Sequence, residues 1–123
     1  MSEPISVYAG WLVDPDQREP LLTRFPPRYE TVVAHHVTQK FGDETAPPPA
    51  ETVGEIVGEA DDGQGVQALV VAIGGSPARP DGGTYHITWS LADGRAARES
   101  NEVIAHGWTR FAAPTPVRLV PKL

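Results

Sequence analysis

The chain of 123 residues contains no cysteine. That one absence removes disulfides, thiolate metal sites and a cysteine nucleophile together. Lysine is scarce. Lys40 and Lys122 are the only two, beside eight arginines, and 16 Asp and Glu leave a net charge of −6. General nucleic-acid binders gain affinity by neutralising phosphates and usually carry a basic stripe. This chain does not look like one, so duplex nucleic-acid binding is not expected, although a small anionic ligand is not excluded. No apolar run approaches the roughly 18 residues of a membrane span, and the first residues lack a signal-peptide pattern. The expectation is a cytoplasmic chain with no membrane partner, one domain over 1–123 and a modest core.

Glycine and proline, at 12 and 13 residues, cut the remainder into short elements. An apolar strand over 7–13 ends at Asp14-Pro15. Asp16 can then cap a short helix, with Glu19 three residues on as in a capping box and Pro20 tolerated in the first turn. Leu21, Leu22 and Phe25 fall at helical spacing toward a core, and Pro26-Pro27 stops the helix. One strand follows over 31–39, then a proline loop over 45–50. Strands over 51–60 and 66–73, joined by a turn, read as a hairpin. A glycine-rich loop over 74–83 leads to a strand over 85–91. Ser100 caps a last short helix closed by Gly107, 108–111 forms a short strand, and 117–120 is a final strand. Prolines 114, 116 and 121 suggest that this final strand lies at a sheet edge. The order predicts an α+β fold with two sheet halves.

Two of these strands carry the same triplet: His36-Val37-Thr38 and His86-Ile87-Thr88. Side chains alternate faces along a strand. His36 therefore shares a face with Thr38, and His86 with Thr88, while Val37 and Ile87 point to the core. Lys40 extends the first polar face and Ser90 the second. Tyr85, Ile87 and Trp89 share the opposite face and read as core. His35 lies opposite His36 and reads as structural. A plain alternative is two strand histidines bonded to neighbouring backbone.

These residues carry a resemblance. His36-Val37-Thr38-Gln39-Lys40-Phe41-Gly42 and Tyr85-His86-Ile87-Thr88-Trp89 resemble the two motifs of the two-histidine (2H) phosphoesterase superfamily. That superfamily includes RNA 2′,3′-cyclic phosphodiesterases and enzymes once named 2′-5′ RNA ligases. Phe25-Pro26-Pro27-Arg28 leading into Ala34-His35-His36-Val37-Thr38 is similar to a small bacterial branch described as RNA-repair-like. The resemblance spans most of the chain. Gln39 stands where an aliphatic residue is usual, and the 50-residue spacing of the motifs is short, which implies a trimmed lobe between them. The resemblance implies two antiparallel β-lobes related by a pseudo-twofold, facing across a central cleft, with few short helices.

It also implies metal-independent hydrolysis of a cyclic phosphate or nucleotide phosphodiester, such as an RNA 2′,3′-cyclic phosphate end, in RNA processing or repair. No cofactor is expected. His36 and His86 would be general acid and base, in an order the sequence leaves open, since histidine titrates near pH ~6.5. Thr38 and Thr88 would donate to phosphate oxygens as charge grows there. Lys40, Phe41, Tyr8 and Ser90 are further candidate substrate contacts, Tyr8 or Phe41 by stacking on a base. Three readings compete: a zinc site using His36, His86 and a carboxylate, for which the paired threonines have no use; a non-catalytic module binding a nucleotide or RNA end on the same fold; and a structural domain.

Overall fold

The computed structural model describes residues 8–41, 52–79 and 82–121. The expected loop over 45–50 and the residues before Tyr8 lie outside that part. Strand β1 (Tyr8–Val13) leads to helix α1 (Pro15–Arg24). Proline suits the first helical position because its missing N–H needs no partner there. The cap therefore falls on Asp14, whose Oδ1 accepts the Asp16 N–H at 2.9 Å, and not on Asp16 as expected. Pro20 consequently sits inside the helix.

The strand expected over 31–39 is two strands, β2 (Thr31–Val32) and β3 (His36–Phe41). Between them Ala34 takes φ 42°, the one non-glycine positive φ among the described residues. Such a conformation costs an L-residue of order 1 kcal/mol and persists only where neighbours hold it. Here Arg18 of α1 donates from Nε to the Ala34 carbonyl and from Nη2 to the Val33 carbonyl, each at 3.1 Å.

Strands β4 (Thr52–Asp61) and β5 (Val66–Ala72) form the expected hairpin, and β6 (His86–Leu91) follows the glycine-rich loop. A 3₁₀ turn, Ala97–Glu99, runs into α2 (Ser100–Ala105). Glu99 Oε2 accepts the Ala96 N–H at 2.7 Å, so helical structure starts before Ser100 and Ser100 is not its cap. The last two expected strands are one, β7 (Thr109–Pro121). It is not an edge: it runs between β4 and β1. Its prolines are tolerated because β1 pairs only with 119–121, which leaves Pro116 bound on the β4 side alone, and because the register with β4 jumps from Thr115 to Arg110, past Pro114.

All seven strands belong to one curled, antiparallel sheet, a half-barrel in the order β2-β6-β5-β4-β7-β1-β3. The long strands β4 and β7 pair along their length and fuse what the sequence suggested as two halves. The curl brings the sheet ends together through residues 31–41. At one end Thr31 and Val32 pair with Leu91 and Ser90, and the Val33 and Ala34 N–H groups donate to Trp89 and Thr88. After the Ala34 kink the same chain pairs with β1 at the other end, and Val13 N–H donates to the His35 carbonyl.

The main core fills the curl with Trp11, Val37, Ile56, Leu69, Ile87, Trp89 and Leu119 among others. Buried aromatics carry much of such a core. Trp89 Nε1 donates to the Phe25 carbonyl at 2.6 Å, tying the end of α1 to β6. A second cluster, including Ala68, Val70 and Ile104, packs α2 on the outer face. Among the described residues no helix is long and apolar enough to cross a membrane.

Candidate functional site

Strand alternation places the motif residues as the sequence suggests. Val37 and Ile87 are fully buried in the main core. His36 and Thr38 therefore face away from it on β3, and His86 and Thr88 face away from it on β6. The two strands lie side by side, with Cα atoms of one within 8 Å of the other. The β2–β6 register, carried two residues past Ala34, would set His36 opposite His86. The kink instead swings β3 toward β1 while leaving it alongside β6.

The two imidazoles differ in setting. His86 is 9% exposed, and its Nδ1 lies 2.8 Å from the Thr84 carbonyl. A carbonyl only accepts, so Nδ1 carries the proton and Nε2 keeps its lone pair. Burial, together with the Arg79 charge, holds the His86 pKa below the usual histidine value, against the opposing pull of the Thr84 carbonyl. At neutral pH this ring is an uncharged acceptor.

His36 is half-buried. Its Nδ1 lies 3.1 Å from that of His35, the rings meeting edge to face, so one ring donates to the other. Strict alternation would put these two side chains on opposite faces, as expected for His35. The positive φ at Ala34 breaks the alternation and turns His35 beside His36.

The hydroxyls are less available than the sequence suggested. Thr38 is buried. Thr88 shares a 2.8 Å hydrogen bond with Ser100 Oγ and donates to the Ala97 carbonyl at 3.3 Å, so it ties β6 to α2 and does not face open space. Ser90 is fully buried, donates to Gln67 Oε1 at 2.5 Å and accepts the Arg28 and Tyr29 N–H groups at 3.2 Å each. It is a structural residue and not a substrate contact. A β-bulge opposite Gln67 and Ala68 makes Trp89 an extra residue of β6, so Ser90 falls on the side of Gln67 and the 26–29 segment and not on that of Thr88, a break that strand parity alone cannot reveal. The side chains of Tyr8, Lys40 and Phe41 lie outside the described part. Their backbones pair as Tyr8↔Phe41 and Ala9↔Lys40.

Beside His86 opens a pocket of about 470 Å³, lined among others by Arg79, Gly83, Thr84, Asn101 and Ile104. That volume suits a nucleotide-sized ligand. Among the described residues neither His36 nor Thr38 lines it. Arg79 is 8% exposed and donates from Nη2 to Asn101 Oδ1 at 3.2 Å, while Asn101 Nδ2 donates to the Arg98 carbonyl at 3.0 Å. Sequence reasoning missed Arg79, Ser100 and Asn101. Arg79 lies in a loop of glycines and prolines with no periodicity to aim it, and Ser100 read as a cap.

A second pocket, near Asp61, Asp62, Glu99, Glu102 and His106, has its one arginine engaged. Arg95 donates to Asp62 and Glu99, each at 2.9 Å. Among the described residues no three His, Cys, Asp or Glu side chains gather as a set that could hold a metal ion. Set against protein-family models, curated proteins and solved structures, the chain matches none of them.

Proposed function

We propose that this protein is a metal-independent phosphodiesterase that opens a cyclic phosphate or cleaves a nucleotide phosphodiester, such as an RNA 2′,3′-cyclic phosphate end, with His36 and His86 as its acid–base pair. The observation that carries the reading is the juxtaposition of β3 and β6, each presenting a histidine on the face away from the core. The two-lobed, pseudo-twofold arrangement of the 2H phosphoesterases belongs to the same proposal. Strand order supports it: outward from the β4–β7 pair come β5 and then β6 on one side, β1 and then β3 on the other. Each motif strand is the second beyond that midline, and the curl brings the two together.

The chemistry follows from the difference between the rings. His86 Nε2 takes a proton from water as its oxygen bonds to phosphorus. The bond to the leaving ribose oxygen breaks, and His36 gives that oxygen a proton. The product is a phosphomonoester, and each histidine is worth about 10²–10⁴ in rate. Thr38 is the motif hydroxyl assigned to a phosphate oxygen.

The test is turnover of nucleoside 2′,3′-cyclic monophosphates and of a short RNA with a 2′,3′-cyclic end, in EDTA, with products separated by chromatography. Hydrolysis is expected in EDTA and is expected to fall at least about 100-fold in His36→Ala and in His86→Ala. Activity that persists in both folded variants sinks the two-histidine mechanism. A second reading, a module that binds such a ligand without turning it over, is favoured by the internally bonded Thr88 hydroxyl and by the His86 pocket not reaching His36. It predicts saturable binding with no product.

A further inference from the structure

We infer that His35 is the positioning residue of His36: its ring accepts the His36 Nδ1–H, fixes that imidazole and leaves Nε2 as the nitrogen through which His36 exchanges a proton. The catalytic consequence rests on the phosphodiesterase reading; the bond between the two rings does not.

Neighbouring residues of a strand point to opposite faces, so consecutive histidines do not normally meet. Here the chain before them is held in a strained turn. Ala34 keeps φ 42° with its methyl fully buried, while Arg18 donates to the Val33 and Ala34 carbonyls. The His35 carbonyl accepts the Val13 N–H at 2.9 Å, and His36 pairs with Leu12 on β1. The main chain on both sides of the pair is thus anchored, and that frame sets the exposed His35 against His36. Backbone strain held in place in this way clusters at functional sites.

The contact is specific in its atoms. The two Nδ1 atoms lie 3.1 Å apart and the ring planes meet at 80°. A hydrogen bond there needs one proton between the nitrogens, since two lone pairs or two N–H groups would repel. The bond made by one ring nitrogen of a histidine decides what the other can do. With Nδ1 committed to His35, His36 acts on a substrate only through Nε2. As the acid of the proposed reaction, His36 begins as an imidazolium with a proton on each nitrogen. Nε2 gives its proton to the leaving oxygen, Nδ1 keeps the other against the His35 lone pair, and the ring ends neutral. His35 neither gains nor loses a proton in that step. A hydrogen bond from a charged ring is stronger than one from a neutral ring, so His35 favours the form of His36 that the step requires. Around the pair, β1 sets Leu12 opposite His36, β6 brings the uncharged His86 alongside, and α1 brings Arg18 to the preceding carbonyls. None of these is altered by a substitution at His35, so a comparison of variants isolates its ring.

The first test uses the wild type with nitrogen-15 in its histidines. A scalar coupling between the two Nδ1 atoms, read through the carbon-bound ring protons by NMR, is expected; two uncoupled rings overturn the inference. The second test replaces the ring. His35→Phe keeps a plane with no acceptor, and His35→Asn puts an amide oxygen where Nδ1 stands. His36 is expected to hold its proton to higher pH in the wild type and in His35→Asn than in His35→Phe. With a nucleoside 2′,3′-cyclic monophosphate as substrate, His35→Phe is expected to lower kcat about tenfold with KM little changed. It should also move the alkaline limb of the pH profile down, and His35→Asn should restore both. A merely structural role would cost stability and leave that limb in place. An unmoved His36 titration in folded His35→Phe overturns the inference. If His35→Phe does not fold, His35→Ala takes its place, and the wild-type coupling needs neither. Turnover lost in His36→Ala and His86→Ala but unchanged in His35→Phe removes the role of His35 and leaves the hydrolase. A coupled pair whose His36 titration follows the substitution, with no turnover by the wild type, keeps the bond and removes the hydrolase.

Discussion

A single histidine gives the molecule a pH dependence that can be signed in advance. Burial, aided by Arg79, holds His86 below its unfolded value of about 6.5. Below that pH the unfolded chain takes up a proton that the folded site resists, so the unfolded state binds more protons and stability falls as pH falls. Above it, His86 contributes no slope. The limit is about 1.4 kcal/mol for each pH unit between the unfolded and folded values. Urea midpoints taken at pH 7.5 and 5.5 check this: the wild type should lose more on acidification than His86→Gln, and parallel losses would refute it. Sequence alone shows which face of its strand His86 takes, because Val37, Ile87 and Trp89 mark the core side by alternation. It does not show that Thr88 would be taken up by Ser100, nor that a bulge at Trp89 would turn Ser90 to the other face and onto Gln67, since those partners come from other elements.

At the scale of the element, the kink between β2 and β3 decides how the site is built. Alanine carries no turn signal, so nothing in Val33-Ala34-His35 betrays a break, and the run reads as one strand. The break is imposed by tertiary structure: two Arg18 hydrogen bonds, two sheet ends to join and a fully buried methyl. Glycine adopts positive φ freely, whereas a β-branched residue resists it. Ala34→Gly should therefore stay within about 1 kcal/mol of wild type. Ala34→Val, strained and overpacked, should lose about 2 kcal/mol or more. Chemical denaturation of both variants checks the pair, and equal losses would remove strain as the explanation. β7 shows the converse limit. Its prolines do mark a strand that is incompletely paired, but an interior strand can be so when its neighbour is short.

Across the whole molecule, charge and curl set what can approach. A net charge of −6 opposes a long polyanion. The expected outcome is no retention of duplex RNA or DNA in gel shifts near physiological salt, where screening is still incomplete. Tight duplex binding would contradict that account of the surface. The α+β class and most elements were legible in the sequence. The continuity of the sheet was not, because it depends on β4 and β7 pairing across a register jump at Ile56 and Gly58 that no local pattern announces.

The stretch over 31–41 that joins the sheet ends has a consequence for a chain still being synthesised. Its β3 part can pair early with β1, which precedes it. The Val33 and Ala34 amides, however, do not meet their native acceptors until Thr88 and Trp89 have been made. A nascent chain halted before that point holds the first histidine on a strand whose far side has nothing to close against. The two motifs are thus joined by order of manufacture as well as by space: the second completes the seam that gives the first its place.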